Sequence, residues 1–325
     1  MNDLHLEKVL KSAGLREKPP ADVERVVREH VRGEWRGAVA EHGRRSRQRT
    51  AFALAAGLVA AAIGVWSIAP RFSDAPVVIA SITLASEDVR VTSGWLDRWH
   101  AVAPGQALLA GQTVETGPSG RGAFALADGV AARVDRGSRL VVAAADRLVL
   151  ERGTIYVDSG PAAAAAPPLE VVTPTGSVRH VGTQYEVRLL EAGVRVRVRD
   201  GMIEWRSGDG NVERTASGEQ LTITHDGRVE RQPVSAYGPV WDWTLEAAPP
   251  IDIEGMPLSQ FLAWAAHETG REIAYSSPDI EREVAGIVVH GSIEGLSPLE
   301  ALHAVLATTS VRAQVSHGSL VVDSR

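Results

Sequence analysis

The amino-terminal part of the chain carries one apolar stripe. In ADVERVVREHVRGEWRGAVAEH, apolar residues recur at every fourth position, from Val23 through Val27 and Val31 to Trp35. This spacing predicts an amphipathic helix whose opposite face is charged. A tail this short buries too little surface for a secure core of its own, so we expect the stripe to bind a partner as a helix in a groove. The alternative is a solvated linker next to a membrane.

A continuous apolar run follows. Residues 51–69, AFALAAGLVAAAIGVWSIA, contain no charged residue, and a helix of this length measures about 28 Å, which is enough to cross a hydrocarbon core. The segment RRSRQR precedes the run, and only Arg71 follows it closely. The positive-inside rule therefore predicts a cytoplasmic amino end and export of the residues beyond the run. A cleaved signal peptide is disfavoured because so long a region precedes the run.

From residue 77 to residue 235 the apolar positions alternate with a period of two. In VRVRVRDGMIEWRSG, three valines alternate with three arginines, which predicts a strand, and Asp200-Gly201 predicts a short hairpin turn. Strands of this kind recur between turn signals throughout the region. The pattern predicts an all-β domain, which is a sandwich, a barrel or a solenoid.

A helical spacing returns in residues 249–325. MPLSQFLAWAAHETG predicts a helix that ends at Gly270, and SPLEALHAVLATT begins with the capping-box pair Ser297 and Glu300 around Pro298. The strand-like runs around these helices are IDIEG, EIAYS, GIVVHG, RAQV and LVVDS. The sequence thus predicts a small α+β domain.

Composition and charge narrow the functional classes. The 325 residues include no cysteine, which excludes disulfides, thiol chemistry and cysteine metal sites. Residues 1–50 hold 12 Lys and Arg against 8 Asp and Glu, whereas the rest of the chain holds 22 against 32. The exported part is therefore acidic, which disfavours direct binding of nucleic acid. The motifs G-K-[ST], G-x-S-x-G and H-E-x-x-H are absent from the sequence, so neither an enzyme nor a cofactor is predicted.

Four segments occur in an order typical of one family: LERGTIYVDSG, LEVVTPTGSVRHVGTQYEV, VRVRVRDGMIEWRSG and SGEQLTI. In these segments the chain resembles the FecR family of periplasmic regulators. Residues 249–325 are similar to the short N-terminal (STN) domain of secretins and TonB-dependent proteins. The resemblance implies a single-pass inner-membrane protein that controls an extracytoplasmic-function sigma factor through its cytoplasmic tail. Its periplasmic end would read the signalling domain of a TonB-dependent outer-membrane transporter.

The pattern and the resemblance together predict a multi-domain membrane protein in the bacterial inner membrane. Its parts are a short helical cytoplasmic tail (1–48), one transmembrane helix (51–69), an all-β FecR-like periplasmic domain (77–235) and a small α+β, STN-like domain (249–325). The tail is shorter than in the best-known family members. We therefore assign sigma-factor binding to Val27, Val31 and Trp35 from the apolar stripe rather than from a matched motif.

Two further hypotheses concern particular residues. In some FecR-like regulators a Gly-Thr bond in this element resembles a self-cleavage point, which here would be Gly182-Thr183, with His180 or a carboxylate across the sheet as proton acceptor. Turn chemistry at Gly176 and Gly182 is the simpler interpretation. The alternative function is an envelope or glycan-binding scaffold. Its sugar-stacking residues would be Trp95, Trp99, Trp241 and Trp243.

Overall fold

The computed structural model describes residues 77–93, 98–126, 129–160, 168–316 and 318–325. The predicted tail, with Val27, Val31 and Trp35, and the apolar run 51–69 lie outside these ranges. Within them, no helix is both long enough and apolar enough to cross a membrane.

Sixteen strands of the described region form one hydrogen-bonded sheet. In chain order they are β1 (Val78–Ala85), β2 (Val89–Ser93), β3 (Arg98–Ala101), β4 (Ala107–Leu109), β5 (Thr113–Thr116), β6 (Gly122–Leu126), β7 (Ala131–Val134), β8 (Arg139–Ala144), β9 (Arg147–Arg152), β10 (Thr154–Asp158), β11 (Glu170–Thr173), β12 (Gly176–Leu190), β13 (Gly193–Ser207), β14 (Val212–Ala216), β15 (Glu219–Thr224) and β16 (Val229–Pro233).

The strand order divides this sheet into two arms. One arm runs β3-β2-β5-β8-β9-β11 and the other β10-β7-β6-β1-β4, and β12 joins them. Side chains of both arms, such as Leu148 from the first and Ile155 from the second, belong to one hydrophobic core. The arms are therefore the two layers of a sandwich. Each fully buried Val or Leu stabilises such a core by roughly 1.5–3 kcal/mol.

The long β12–β13 hairpin belongs to both layers. The start of β12 pairs with β11 and its end pairs with β10. The start of β13 pairs with β15 and its end with β14. The alternation predicted for β13 is confirmed, since Val194, Val196 and Val198 are fully buried.

The predicted hairpin turn at Asp200-Gly201 is wrong. Both residues lie inside β13, and the turn that joins β12 to β13 falls at residues 191–192. The register of the two strands shifts between Val181 and Gln184, opposite Asp200. Asp200-Gly201 therefore lies at a β-bulge, and at this bulge the hairpin passes from one layer of the sandwich to the other.

Turn chemistry also fails to explain Gly176, which is not among the glycines with positive φ. A Cβ at this position would lie 2.4 Å from the carbonyl oxygen of Arg206 and 2.5 Å from the indole of Trp205. Close packing of the neighbouring strand, and not a left-handed conformation, requires glycine here.

The carboxy-terminal part has a second hydrophobic core. Its elements are a short 3-10 helix (Pro239–Trp241), α1 (Asp242–Glu246), β17 (Met256–Pro257), α2 (Leu258–Thr269), β18 (Glu272–Tyr275), α3 (Pro278–Gly286), β19 (Val288–Val289), α4 (Pro298–Ala307), β20 (Val311–Ser316) and β21 (Ser319–Ser324). We refer to residues 249–325 as the terminal domain. Strand β18 is parallel to β21, and β20 is antiparallel to it.

Both predicted helices of the terminal domain are present. Helix α2 ends at Gly270, which has a left-handed φ of 65°, and α4 begins with both hydrogen bonds of the capping box between Ser297 and Glu300. The run IDIEG is not a strand, and only Met256–Pro257 after it pairs with β19. Helix α3 was not predicted, although Ser277 and Pro278 give it an N-cap and a first-turn proline.

Candidate functional site

A cavity of about 280 Å³ opens at the crossing point of the β12–β13 hairpin. Strand β10 and the turn after it, β12, β13 and α2 all contribute to its lining. The lining residues are Asp158, Ser159, Gly160, Gly182, Thr183, Gln184, Asp200 and His267. The structure thus brings the Gly182-Thr183 bond to a polar opening beside the terminal domain.

The crossing point dictates the backbone around Gly182. Its φ is 60°, a left-handed conformation that L side chains rarely adopt. Gly201 on the facing strand has a φ of 82°, and a Cβ there would lie 2.3 Å from the carbonyl oxygen of Gly182. Gly182 is therefore favoured by its backbone conformation alone, since a Cβ there would have no neighbouring atom within 4 Å, whereas Gly201 is also required by the close approach of the facing strand.

Thr183 is buried and held on both sides. Its hydroxyl donates to the carbonyl oxygen of Met202 at 2.7 Å. Its backbone N–H donates to Oγ of Ser159 at 2.5 Å. The backbone N–H and the hydroxyl of Ser159 both donate to the carbonyl oxygen of Thr183 at 3.1 Å. These bonds fix the orientation of the peptide between Gly182 and Thr183.

An ion pair joins the terminal domain to this cavity. Nε2 of His267 lies 2.7 Å from Oδ2 of Asp158, which also accepts from Nε2 of Gln184 at 3.0 Å. Burial alone would raise the pKa of Asp158, but the hydrogen bonds from His267 and Gln184 lower it to about 2. The hydrogen bond that His267 donates to Asp158 raises the pKa of His267, although burial of the ring would lower it.

The tautomer of His267 follows from these contacts. Nε2 of Gln184 also lies 2.8 Å from Nε2 of His267. Since that ring nitrogen donates its proton to Asp158, it has no lone pair for a second donor. The Gln184 amide therefore donates to the Asp158 carboxylate and not to the imidazole ring.

His180 does not serve the role that the sequence suggested for it. Its side chain is buried, Nε2 accepts the backbone N–H of Leu169 at 3.0 Å, and burial lowers its pKa. A neutral ring whose Nε2 accepts carries its proton on Nδ1, so it has no lone pair left to take a proton from Thr183. Two carboxylates line the cavity from the strands on either side of β12, Asp158 and Asp200, and the backbones of both pair with Gln184. Asp158 already accepts hydrogen bonds from His267 and Gln184, which makes Asp200 the candidate proton acceptor.

A second, fully buried ion pair lies between the β-sandwich and the terminal domain. Nη2 of Arg133 on β7 donates to Oε1 of Glu268 on α2 at 2.7 Å, and Nη1 donates to the carbonyl oxygen of Thr244 at 2.8 Å. Burial would lower the pKa of Arg133, but the charge and the hydrogen bond of Glu268 raise it above its ordinary value. The guanidinium stays charged, so the pair is ionic.

The three described tryptophans of the proposed sugar-stacking set do not form one exposed surface. Trp241 is fully buried, and Trp243 donates its indole N–H to the buried carboxylate of Glu186 at 2.8 Å. Both rings pack edge-on against Tyr156. Trp99 is half-buried beneath the guanidinium groups of Arg90 and Arg139, and Trp95 lies outside the described residues.

Comparison with known proteins decides the nature of the β-sandwich. Residues 112–204 match the family model "FecR protein". These residues form a FecR domain. The FecR domain runs from β5 into β13 and supplies every residue that lines the cavity except His267. The predicted resemblance to the FecR family is thus confirmed, while the STN-like character of the terminal domain remains a prediction.

Solved structures give a weaker likeness. Two crystal structures of a proposed anti-sigma factor from Parabacteroides distasonis ATCC 8503, at 2.50 and 1.65 Å resolution, are 18% and 17% identical to this chain. They cover 66% of it, and the match spans 98% and 99% of their own length, with TM-scores of 0.35 and 0.34. At such scores the likeness supports no inference. No curated protein matches the chain.

Several residues of the site carry no strong local signal in the sequence. Ser159 ends the segment LERGTIYVDS of the FecR domain, but its partner Thr183 lies 24 positions further on. His267 is 109 positions from Asp158. Within the described ranges, no group of three or more His, Asp and Glu residues is arranged to hold a metal ion.

Proposed function

We propose that this protein regulates an extracytoplasmic-function sigma factor. It does so from the bacterial inner membrane, with residues 1–48 in the cytoplasm, residues 51–69 across the bilayer and the FecR domain in the periplasm. The observation that carries the proposal is the FecR domain itself, which supports a role in sigma-factor regulation. The uncharged run and the arginines before it support the topology.

In this proposal the two ends of the chain have separate partners. The stripe Val27, Val31 and Trp35 binds the sigma factor, since an amphipathic helix of this kind docks in a groove. The terminal domain reads the signalling domain of a TonB-dependent outer-membrane transporter. Its contacts with the FecR domain through His267 and Glu268 give it a physical link to the rest of the relay.

Reporter fusions test the topology. A reporter that is active only after export is expected to work when fused after Ala69 and to fail when fused after Glu41. A reporter that is active only in the cytoplasm should give the opposite result. Export of the Glu41 fusion would overturn the relay as a whole.

Capture of the sigma factor tests the tail. Trp35→Ala combined with Val31→Asp should weaken capture by the full-length chain, because truncation of a large aromatic anchor typically costs about 2 kcal/mol or more. Glu29→Ala, on the opposite face of the predicted helix, is the matched control and should capture normally. Equal capture by all three proteins would make the tail a linker.

We also propose that the chain splits itself between Gly182 and Thr183. The supporting observation is the fixed geometry of this peptide, with a left-handed Gly182, an oriented Thr183 hydroxyl and a cavity that admits water. The Thr183 oxygen bonds to the carbonyl carbon of Gly182 and loses its proton. The C–N bond then breaks, the nitrogen gains a proton, and an ester results. One water molecule opens the ester to a Gly182 carboxylate and a Thr183 hydroxyl.

The fragments test the splitting. Full-length chain purified without proteases should run as two pieces under denaturing conditions, and the second piece should begin with Thr183. Thr183→Ala should give one intact chain, whereas Thr183→Ser keeps the hydroxyl and should still split. A wild-type chain that stays whole would leave Gly182-Thr183 as a structural bulge.

A further inference from the structure

We propose that Ser159 is a catalytic residue for the splitting of the Gly182-Thr183 bond. Its hydroxyl binds the amide nitrogen that becomes the leaving amine and stabilises the positive charge that develops there. The proposal rests on the proposed self-splitting and adds the residue that acts on the leaving group.

The contacts of Ser159 are aimed at the reacting amide. Its Oγ lies 2.5 Å from the nitrogen of Thr183, and the same hydroxyl donates to the carbonyl oxygen of Thr183. Ser159 has only 1% of its surface exposed, so water cannot easily take its place. The proton of the serine hydroxyl points away from the amide nitrogen, which leaves an oxygen lone pair directed at the Thr183 N–H.

A hydrogen-bond acceptor at this nitrogen favours the products of the step. In the intact chain the Ser159 hydroxyl oxygen accepts a hydrogen bond from the neutral amide N–H of Thr183. The nitrogen takes up one proton as the C–N bond weakens, which places positive charge on it, and a second proton after the bond has broken, which leaves an ammonium group. The same contact thereby becomes a charge-assisted hydrogen bond of roughly twice the strength. An interaction that is stronger in the transition state than in the ground state accelerates the reaction.

Protons balance within the cavity and its solvent. The proton that Thr183 Oγ1 loses passes to the Asp200 carboxylate or to water beside it, and the nitrogen gains two protons from the same solvent. The second of these is returned when water opens the ester to a carboxylate. Ser159 neither gains nor loses a proton in the net reaction. Its role is electrostatic.

The same serine arrangement occurs at a second Gly-Thr step of the FecR domain. Gly153 has a φ of 84°, and the backbone N–H of Thr154 donates to Oγ of Ser138 at 2.9 Å. The Ser138 hydroxyl donates in turn to the carbonyl oxygen of Thr154 at 3.2 Å. Ser138 is fully buried, like Ser159. None of these three residues lines the cavity.

This second arrangement supplies a matched control. Ser138→Ala removes an equivalent pair of buried hydrogen bonds and should therefore destabilise the sandwich to a similar degree as Ser159→Ala. It touches no atom of the Gly182-Thr183 bond. We expect no fragment that begins with Thr154, because this step has no contact with the cavity that provides water and a proton acceptor.

The experiment follows the appearance of the fragment that begins with Thr183 after a pulse of synthesis of the full-length chain. Wild type, Ser159→Ala, Ser159→Cys and Ser138→Ala are compared, and thermal midpoints are recorded for all four. Ser159→Ala should split about ten- to a hundred-fold more slowly, which is the loss of one hydrogen bond to a charged group. Ser159→Cys retains a weak acceptor and should be intermediate. Ser138→Ala should split at the wild-type rate.

A second readout separates the chemistry from folding. Hydroxylamine cleaves esters, so it should raise the yield of fragments from wild type by trapping the ester, and less from Ser159→Ala because less ester forms. Equal rates for wild type and Ser159→Ala, or equal slowing by Ser159→Ala and Ser138→Ala, would overturn the role of Ser159 while leaving the splitting in place. An unsplit wild-type chain would instead overturn the splitting and this role together.

Discussion

At the scale of single residues, the pair of His267 and Asp158 makes the contact between the two cores dependent on pH. The pKa of His267 is raised from 6.5, so its contribution to stability is complete below about pH 6.5 and is lost as the pH rises through the folded value. Asp158 has its pKa lowered from 3.8 to about 2, so its contribution is present above about pH 3.8 and is lost as the pH falls through about 2. The other groups that face His267 are Glu268, Arg133 and Gln184. The pair is therefore complete between about pH 4 and pH 6.5.

The expected result is a stability difference that varies with pH. The thermal midpoint of His267→Gln should fall furthest below that of wild type near pH 5, and the gap should narrow by pH 9. The control is His290→Gln, which removes the exposed pair with Glu254 and should change the midpoint little at either pH. An equal gap for His267→Gln at pH 5 and pH 9 would mean that the ion pair contributes nothing beyond packing.

At the scale of elements, the β12–β13 hairpin depends on Gly201. An alanine at this position would have to adopt a φ of 82° with its Cβ 2.3 Å from the carbonyl oxygen of Gly182. Gly210 has a similar φ of 93°, but a Cβ there would have no neighbouring atom within 4 Å. The two positions thus separate the cost of the backbone conformation from the cost of the contact.

Gly210→Ala should cost about 1 kcal/mol, which is the strain of one left-handed residue. Gly201→Ala adds a steric overlap with the facing strand and should cost roughly 3 kcal/mol or more. Urea unfolding of the full-length chain measures both values. Similar losses for the two variants would show that the strands can separate at the bulge without penalty.

At the scale of the whole molecule, the sandwich and the terminal domain belong to one compact unit, Ala75–Arg325, although each has its own core. Arg133 and Glu268 lie between them with side-chain exposures of 2% and 7%. Removal of one member of such a pair leaves an unpaired buried charge, whereas replacement of both by apolar residues is often tolerated.

Glu268→Ala should therefore destabilise the unit by about 3–5 kcal/mol, and Arg133→Met with Glu268→Leu should cost much less. Calorimetry should also show that Glu268→Ala splits one cooperative transition into two, one for each core. Arg312→Ala, which removes the exposed pair with Asp323, is the control and should cost no more than about 1 kcal/mol. A single transition and a small loss for Glu268→Ala would show that the two cores are joined by other contacts.

The features that the sequence predicts well are those that depend only on residues close together in the chain. The caps of α2 and α4 lie within a few residues of their helices, and the alternation in β13 needs only its own residues. The dipeptide Asp200-Gly201 suits both a turn and a bulge, and only the pairing with β12 decides between them. IDIEG has the composition of a strand but finds no partner strand, and pairing is what makes a strand.

The same distinction applies to the site. Gly182 and Thr183 stand out because they belong to a recognisable motif. Asp158 and Ser159 lie in the family segment LERGTIYVDSG and His267 lies in a predicted helix, but their contacts could not be predicted, because these join positions 24 to 109 residues apart. His180 stands close to the bond in sequence, yet the strand turns its ring toward Leu169. Sequence proximity on a strand says little about which face or which neighbour a side chain meets.

The shared hairpin has a consequence for mechanical load. A chain cut after Gly182 would consist of two pieces held together by strand pairing. The first half of β12 belongs to the first piece and pairs with β13 of the second. The second half of β12 pairs with β10 of the first piece. A pull along these strands loads all of those hydrogen bonds in shear at the same time. The two pieces of the cut protein would thus stay paired under tension up to a threshold force and would separate in a single step above it.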